Sequence, residues 1–468
     1  MKFFHNVDII SYYNSLQFEN SFFYYVDENG RRQIRTEKMS VKVVYEGLDG
    51  GCFIMATNCS GKTLIGNGNS EDLISYLPSN VIDCIMDHLP LHDTARLAIM
   101  SRDWKQIWKS LPHLKFDAQF FKQVLNKNES EDIDFFRIVS KVLLSHNGPI
   151  PRFYLHIPYM ISEGPDVSPF ISFLLNNGVR EITIENCSSF SFDLPSHIFS
   201  CVEFKSLKLD FCIILIPPTF KCFKYLIHLQ LDNVRFTRGR FRSFIAGCPV
   251  LETLILKGFS GVDHPTIEAP NLKFLNVWGT FKSNSLKNCQ GLQSVTIGLL
   301  EKVANNRGEK ARDLFDFISK SCKVQELNIG GYYFEFMAVT CYWGVMSWTF
   351  KELKLLQLSN IDANNFFQFF CAGRLIQYCP NMEELVISFR STACSNDYVV
   401  NSDPSYKHCS LRRVSFDSVS GFNTELNLIE FLLSHSPALE KVYIKVNPTP
   451  ASDLEWKLAR ALMRFPRA

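Results

Sequence analysis

The chain has 468 residues, enough for about three domains or for one long repeat array with additions. Apolar residues make up 46% of it and charged residues 21%, which is typical of a folded chain and excludes a mainly disordered one. The formal net charge of +2 lacks the strong basic excess of proteins that bind phosphate backbones, so we expect no nucleic-acid partner.

Residues 1–70 form an N-terminal extension of unknown structure. Residues 22–26 and 31–35 flank Asn29-Gly30 and predict a β hairpin, and residues 41–45 and 52–56 predict further strands. Three interpretations stay open: a small extra domain, a partly disordered leader, or a mis-assigned translation start. Residues 56–63 fit a relaxed P-loop, but the sequence after them is a poor helix, which disfavours nucleotide binding.

Residues 71–117 predict a cluster of short helices. The Ile82, Ile85 and Leu89 side chains have helical spacing, Leu89-Pro90 ends that helix, and Asp93 is a candidate N-cap for the next one. His88 and His92 are four residues apart, as zinc ligands on a helix can be, but Pro90 between them breaks the helix. We therefore expect no metal site there.

This segment resembles the F-box of plant proteins. The matching features are two Leu-Pro pairs, an Ile stripe, an Asp, an Arg, and a Ser followed by two Trp: Leu77-Pro78, Ile82, Ile85, Leu89-Pro90, Asp93, Arg96, Ser101, Trp104 and Trp108. Leu73 and Arg102-Asp103 depart from the family pattern. The resemblance implies docking of a Skp-family adaptor through Leu77, Pro78, Ile82, Ile85, Leu89, Pro90, Trp104 and Trp108. We expect about half of the apolar stripe to be internal to the motif.

A repeat follows the F-box-like segment. One template, apolar at i, i+3 and i+5, occurs eleven times between residues 179 and 444, and its last position advances by 20 to 32 residues per copy. Positions i+3 and i+5 share one face of a strand, and stacked copies bury a continuous core. The period is typical of leucine-rich repeats. Examples are Leu226/Leu229/Leu231, Leu251/Leu254/Leu256 and Leu272/Leu275/Val277.

Helical segments precede several of these strands, at residues 241–246, 314–319, 366–378 and 428–434. The sequence therefore predicts an α/β fold: a solenoid of concave parallel strands and convex helices. The longest step predicts a polar loop around residues 305–312. The aromatic residues Tyr332, Tyr333, Trp343 and Trp348 have two interpretations, a target-binding patch or core packing.

The end of the chain resembles the FBD module that closes many plant F-box/leucine-rich-repeat proteins, at residues 428–433, 438–442 and 462–468. We expect residues 454–465 to cover the open end of the array. The domain interpretation is then residues 1–70 as the extension, 71–117 as the F-box, 118–400 as the leucine-rich-repeat array, and 401–468 as the FBD-like module.

The family resemblance implies a substrate-recognition subunit of an SCF-type E3 ubiquitin ligase. The F-box would bind a Skp-family adaptor and through it a cullin, and the repeats would bind a target protein that the sequence does not identify. We predict no catalytic residue, cofactor or metal. Two alternatives stay open: an interaction scaffold with a degenerate F-box, and a receptor gated by a small molecule on its concave face.

Cysteine usage predicts the compartment. The 15 cysteines are scattered and form no Cys-x-x-Cys pair, as expected for free, mostly buried thiols in a reducing environment. No apolar run reaches the length of a membrane span, and the N-terminus makes a poor secretory leader. We therefore expect a cytoplasmic or nuclear protein with no membrane partner.

Overall fold

The computed structural model of the chain describes most of the second half and parts of the first. The described residues are 14–26, 32–46, 51–58, 86, 89–100, 102–125, 135–159, 161, 164–237, 239–302, 309–343, 348–390, 399, 406–447 and 460–465. Two compact units divide the chain, residues 1–109 and 110–468. Within the described ranges no helix combines the length and the apolar character needed to span a bilayer.

The first unit opens with an antiparallel sheet of three strands, β1 (Asn14–Val26), β2 (Arg32–Glu46) and β3 (Gly51–Asn58). β2 lies in the middle and pairs with both neighbours. The predicted hairpin and the strand predicted at residues 52–56 are therefore confirmed, whereas residues 41–45 continue β2 and do not form a separate strand. Pairing of β1 with β2 reaches Val26 and Arg32, and the Asn29-Gly30 turn lies outside the described residues. Two helices follow, α1 (Leu91–Met100) and α2 (Arg102–Lys109).

The second unit contains the repeat array. Its strands are β4 (His113–Phe116), β5 (Arg152–Ile157), β6 (Glu181–Asn186), β7 (Phe192–Asp193), β8 (Ser206–Asp210), β9 (Cys212–Leu215), β10 (His228–Asp232), β11 (Arg235–Thr237), β12 (Thr253–Phe259), β13 (Thr266–Glu268), β14 (Phe274–Gly279), β15 (Ser285–Lys287), β16 (Ser294–Leu299), β17 (Glu326–Gly331), β18 (Leu355–Ile361), β19 (Glu384–Phe389), β20 (Arg413–Val419) and β21 (Lys441–Val446). A 13-stranded parallel sheet uses β4, β5, β6, β8, β10, β12, β14 and β16 to β21 in chain order.

The template positions stack from strand to strand. Leu229 of β10 pairs with Leu207 of β8 and with Leu254 of β12, and the residues two positions further along pair in the same way. All three named side chains are at most 1% exposed. Side chains two residues apart point to one face of a strand, so this face forms the buried core. The predicted leucine-rich-repeat solenoid is confirmed.

The array begins two strands earlier than the eleven copies. β4 and β5 carry the same template, as Leu111/Leu114/Phe116 and Ile150/Phe153/Leu155, and all six side chains are buried. They pair in register, Leu114 with Phe153 and Phe116 with Leu155. The first strand of the array thus lies inside residues 71–117, the range that the sequence interpretation gave to the F-box. The other domain boundaries stay predictions.

Helices cover the buried face in the longer repeats and, as a six-residue helix at Phe241–Ala246, in one of the shorter repeats. They are α3 (Ala118–Leu125), α4 (Phe135–Ser145), α5 (Ser168–Asn176), α6 (Phe241–Ala246), α7 (Glu309–Ser321), α8 (Tyr332–Trp343), α9 (Phe366–Gln377) and α10 (Asn423–His435). The four predicted helical segments lie in α6, α7, α9 and α10. The predicted loop at 305–312 is wrong for residues 309–312, because α7 begins at Glu309.

The shorter repeats differ in their second layer. Repeats that advance by 20 to 25 residues carry the short strands β7, β9, β11, β13 and β15, with a 3-10 helix at Ser196–Ser200 and the six-residue α6. These strands form two small parallel sheets, β7-β9-β11 and β13-β15. A repeat of about 20 residues is too short for a strand, two turns and a full helix. In this region short strands, one 3-10 helix and the six-residue α6 therefore replace the longer convex helices predicted for the solenoid.

Phenylalanine fills the space between the layers. Ring centroids lie 5.2 Å apart for Phe236 and Phe241, 6.4 Å for Phe241 and Phe259, and 5.8 Å for Phe259 and Phe281. The series continues to Tyr333, 6.2 Å from Phe281. Aromatic pairs at these separations add stability beyond the area they bury. The high Phe content of the sequence is thus used to join neighbouring repeats.

The last strand is less enclosed than those before it. The template residues Leu439, Val442 and Ile444 are half-buried, whereas Leu411, Val414 and Phe416 on β20 are at most 1% exposed. Residues 448–459 lie outside the described residues, and Met463 beyond them is 84% exposed. The cap predicted for residues 454–465 therefore stays a prediction.

Candidate functional site

The described part of the predicted docking segment is Met86 together with Leu89 to Asp117, apart from Ser101. Leu89 is 8% exposed and Pro90 is half-buried, and the chain bends at Leu89 before α1 begins. His92 lies in α1 after Pro90, and His88 lies outside the described residues. The expectation of no zinc site at these histidines therefore stays a prediction.

Asp93 lies inside α1 and not at its N-cap. Its backbone N–H donates to the carbonyl oxygen of Pro90 at 2.9 Å, and its carboxylate lies 3.3 Å from Arg96 Nη1 and 3.2 Å from His92 Nε2. Asp93 is only 8% exposed. The N-cap prediction is therefore wrong by about one helical turn. The carboxylate instead lies in the first turn, where the helix dipole favours negative charge, and it holds Arg96 on the helix surface.

The predicted adaptor-binding residues are only partly described. Leu77, Pro78, Ile82 and Ile85 lie outside the described residues. Leu89 is internal, Trp108 is half-buried on α2, and Trp104 is placed on the same helix by its backbone alone. Sequence reasoning missed Ile99 on α1, which is 86% exposed. Single exposed apolar side chains are common on protein surfaces, so Ile99 is a candidate partner contact because it lies within the segment that resembles an F-box.

The second candidate surface is the open face of the sheet, which we define by the strand residues at template positions i+2, i+4 and i+6. Along its amino-terminal edge in the later repeats, charges are paired with each other. Lys273 lies 2.9 Å from Glu252, Lys354 lies 2.7 Å from Glu383, and Arg413 lies 2.7 Å from Glu384. The lysine contact lowers the pKa of the Glu383 carboxyl. This part of the open face is largely self-neutralised.

The earlier repeats form a depression of about 500 Å³ over β6, β8, β10 and β12. Lys205, Lys208 and His228 line it, and none of the three makes an ion pair with the residues that the structure describes. Glu181 is the acidic residue of the lining, and Ile227 and Ile255 supply half-exposed apolar surface. The volume falls in the range of ordinary ligand pockets. The depression is therefore a basic site within a nearly neutral protein.

A group of carboxylates lies further along the same strands, at position i+6. Asp210 accepts a hydrogen bond from the Asn233 amide at 2.9 Å, Asp232 accepts one from Gln230 at 2.6 Å, and Glu185 accepts one from the Tyr154 hydroxyl at 2.5 Å. Burial raises the pKa of Asp210, and the neighbouring carboxylates raise it further. These acids lie near the carboxyl-terminal ends of β6, β8 and β10, whereas Lys205 and His228 lie at the amino-terminal ends of β8 and β10.

An indole ring occupies the middle of the open face. Trp278 of β14 lies across the next two strands, where the equivalent positions are Gly298 and Gly330. A Cβ added at Gly298 would be 2.5 Å from the indole ring, and one at Gly330 would also collide with it. Trp278 stays half-exposed. The two glycines thus make room for an aromatic plate on the surface.

A charged aromatic cluster adjoins this plate. The Tyr332 ring lies 4.9 Å from the Arg390 guanidinium carbon and 5.7 Å from the Lys302 ammonium. Glu335 bridges the two cations, 3.0 Å from Lys302 and 3.9 Å from Arg390. Cation–π contacts of this kind hold the charges in place on the ring. Because Glu335 belongs to the cluster, the net positive charge of the cluster is small.

The structure separates the four aromatic candidates. Tyr333 is fully buried and donates to Asn284 Oδ1 at 3.0 Å, and Trp348 is 2% exposed and donates its Nε1–H to Asp316. Both belong to the core, so the packing interpretation holds for them. Tyr332 is half-buried at the surface, and the Trp343 side chain lies outside the described residues. Burial raises the pKa of Tyr333.

The geometry defines a class of protein: a leucine-rich-repeat solenoid preceded in the chain by a short helical motif with an exposed apolar side chain. Sequence comparison gives the family. Residues 74–116 match the F-box domain model, and residues 167–310 match the model described as FBD-associated F-box protein At5g56370, LRR repeats.

Similar proteins come from Arabidopsis thaliana. F-box/FBD/LRR-repeat protein At1g13570 is 29% identical over 411 residues, which cover 86% of this chain and 97% of the relative. F-box/LRR-repeat protein At3g26922 is 30% identical over 46% of this chain and 69% of the relative. Putative F-box protein At3g58860 is 25% identical over 80% of this chain and 88% of the relative.

The chain belongs to the plant F-box/FBD/leucine-rich-repeat family. It is therefore an F-box protein involved in protein interaction, in a family whose members are typically non-catalytic adaptors. The F-box implies a Skp-family adaptor as a partner.

Proposed function

We propose that the protein is the substrate-recognition subunit of an SCF-type ubiquitin ligase. The observation that carries the proposal is the order of the chain: an F-box match at residues 74–116 runs directly into a parallel array whose first strand starts at His113. One part would bind the adaptor and through it a cullin, while the open face of the array would bind the target.

The mechanism is proximity and needs no catalytic residue in this chain. Holding a target next to a ubiquitin-charged enzyme turns an encounter in solution into one within a complex, which raises the effective concentration of target lysines to the millimolar range, on the order of 1 mM for short linkages. The residues of the open face then decide which target is held. Rate enhancement would follow target affinity and geometry.

A cytoplasmic or nuclear location goes with this proposal. The ten cysteines that the structure describes are all free, and burial raises the pKa of several, including Cys248 to about 12. Free buried thiols suit a reducing compartment. Imaging of the full chain fused to a fluorescent protein in plant cells would test this, and accumulation in the secretory pathway would contradict it.

The decisive experiment is co-purification of the full chain with a plant Skp-family adaptor. Ile99→Asp places a charge on the exposed apolar side chain of α1, where burial against a partner would desolvate it. Leu144→Asp is the matched control, because Leu144 on α4 is 76% exposed and lies in the array. We expect stoichiometric binding of the wild type and the control, and at least tenfold weaker binding of Ile99→Asp.

A second variant covers the predicted contacts outside the described residues. Leu77→Asp with Pro78→Ala should abolish adaptor binding while circular dichroism stays that of the wild type. Added cullin should join the wild-type complex. A folded wild-type chain that does not bind the adaptor would contradict the proposal, and the protein would then be an interaction scaffold with a degenerate F-box.

A further inference from the structure

The basic depression differs from the rest of the amino-terminal edge in its charge pairing. At the later repeats several exposed bases have an acid within reach on the neighbouring strand, as in Lys273 with Glu252 or Lys354 with Glu383. At β8 and β10 the equivalent edge carries Lys205 and His228, with Lys208 three residues after Lys205, and these have no ion-pair partner among the described residues. The same repeat position is thus neutralised internally in one region and left open in another.

Strand register explains why these bases stay unpaired. Lys208 lies between Thr183 of β6 and Gln230 of β10, and His228 lies between Ser206 of β8 and Thr253 of β12. The direct cross-strand neighbours are therefore neutral, whereas opposite charges at such positions would stabilise a sheet. The sequence thus places positive charge at positions where an acidic cross-strand neighbour would stabilise the sheet.

The nearby carboxylates of Asp210 and Asp232 lie at the carboxyl-terminal ends of β8 and β10, whereas Lys205 and His228 lie at the amino-terminal ends. Asp210 and Asp232 lie two residues along their strands from Lys208 and Gln230, and each accepts a hydrogen bond from a side-chain amide. Glu181, within the lining, makes no ion pair with the described residues. The lining thus carries three basic residues and one acidic residue. Its net charge is positive whether His228 is protonated or neutral, and it is one positive charge in the neutral case.

We propose that this depression is the target-docking surface and that it takes an acidic, extended segment of the target protein, whose carboxylates contact Lys205, Lys208 and His228. The proposal rests on the substrate-recognition role proposed above and names the chemistry of the target. Charge complementarity of this kind steers association and selects partners.

The same geometry sets the direction of the docked segment. The carboxylates of Asp210 and Asp232 repel an acidic chain that runs along the strands, so the segment lies across β8, β10 and β12 near their amino-terminal ends. A segment that crosses toward β12 meets Ile255, which is half-exposed and lies beside Gln230. The recognised segment therefore carries an apolar residue next to its acidic residues.

The test uses the full chain and defined peptides. The probe is a fluorescein-labelled peptide containing Glu residues and two Leu residues, compared by fluorescence anisotropy with peptides in which every Glu is Gln or Lys. We expect the Glu peptide to bind at least tenfold more tightly than the Gln peptide, with the Lys peptide weakest. Binding of the Glu peptide should also weaken as NaCl is raised, because screening acts on exposed charges.

Charge reversal locates the site. Lys205→Glu with Lys208→Glu should lower affinity for the Glu peptide at least tenfold and raise affinity for the Lys peptide. The matched control is Lys224→Glu with Lys287→Glu, two exposed lysines outside the depression that give the same change in net charge. The control should bind the Glu peptide within about twofold of the wild type, apart from a general electrostatic effect.

Four outcomes would overturn the proposal: equal binding of the Glu and Gln peptides, equal loss in both reversal variants, binding of no peptide, or tighter binding of an RNA oligonucleotide lost in the same variant. Each preparation is also tested for adaptor binding, which uses the F-box. Adaptor binding without peptide selectivity sinks the docking surface alone. Peptide selectivity without adaptor binding sinks the ligase role alone.

Discussion

The two faces of the large sheet contrast in composition although the same strands make both. On the buried face, template positions i+3 and i+5 are apolar in every repeat, and from β4 to β20 they are at most 2% exposed. On the open face, the intervening positions vary from Lys208 to Ile255 and Trp278. Alternation along a strand separates two requirements, with stacking on one face and recognition on the other. Stability and binding should therefore respond to different residues of one strand.

The largest effect is expected on the buried face of β8. Leu209→Ala removes a side chain that is 2% exposed between Ile184 and Leu231. Loss of buried methyl groups plus the cavity left behind costs about 2–5 kcal/mol in comparable cores. Urea denaturation followed by circular dichroism measures it. A loss below about 1 kcal/mol would show that the array closes around the gap and would contradict the contrast between the faces.

One position on the open face should be an exception, because a substitution there should lower stability as a core substitution does. Gly298 lies on the open face but is buried beneath the Trp278 ring, and Gly298→Ala adds a Cβ 2.5 Å from that ring, so the indole has to move. Overpacking of this kind costs about 1–3 kcal/mol. Removing the ring should relieve the collision, so Trp278→Ala with Gly298→Ala should be about as stable as Trp278→Ala alone. Additive losses in this double-mutant cycle would mean that the ring does not cause the cost.

A buried histidine gives a pH-dependent test of stability inside the array. His408 is 2% exposed, and its Nε2 lies 2.8 Å from the Cys379 carbonyl oxygen. Burial lowers the pKa of this imidazole below its ordinary value of 6.5. The folded state thus binds fewer protons than the unfolded state as pH falls. The stability that the buried neutral imidazole contributes is therefore complete above about pH 6.5 and is lost as pH falls toward the pKa of the folded state.

His408→Gln tests this sign. At pH 7.5 the variant should be less stable than the wild type by about 1 kcal/mol, the worth of a buried hydrogen bond. The difference should narrow at pH 5.5, because only the wild type has an imidazole to protonate on unfolding. His228→Gln makes the same chemical change at an exposed position and is the matched control, whose effect on stability should stay within about 0.5 kcal/mol. A stability difference between His408→Gln and the wild type that stays the same at both pH values would contradict this sign.

The buried face could be predicted from the sequence because its rule repeats. Apolar residues at i+3 and i+5 are required in every copy, so eleven strands were found with their register. β4 and β5 follow the same rule but stand 39 residues apart at Phe116 and Leu155, which hides them from a search for one period. α8 was missed because its residues are apolar on most sides, so it lacks the periodic polar face by which helices are recognised.

The open face could be predicted only in part. Aligning the copies would have placed Lys205, Lys208 and His228 near one another, since the template fixes their positions. It would not have shown that Gly298 and Gly330 accommodate Trp278, because that depends on the direction of one side chain across two strands. Exposure of Ile99 likewise follows from packing in the first unit and not from its spacing.

The smallest effect is expected one residue away from the largest. Lys208→Ala changes an exposed side chain on β8 that makes no ion pair with the described residues, so its effect on stability should stay within about 0.5 kcal/mol. Its neighbour Leu209 faces the core, so the adjacent pair compares the two faces of one strand directly. The same urea series measures both. If Lys208→Ala destabilised the chain by as much as Leu209→Ala, the lysine would be serving the fold, and its role in docking an acidic segment would lose its physical basis.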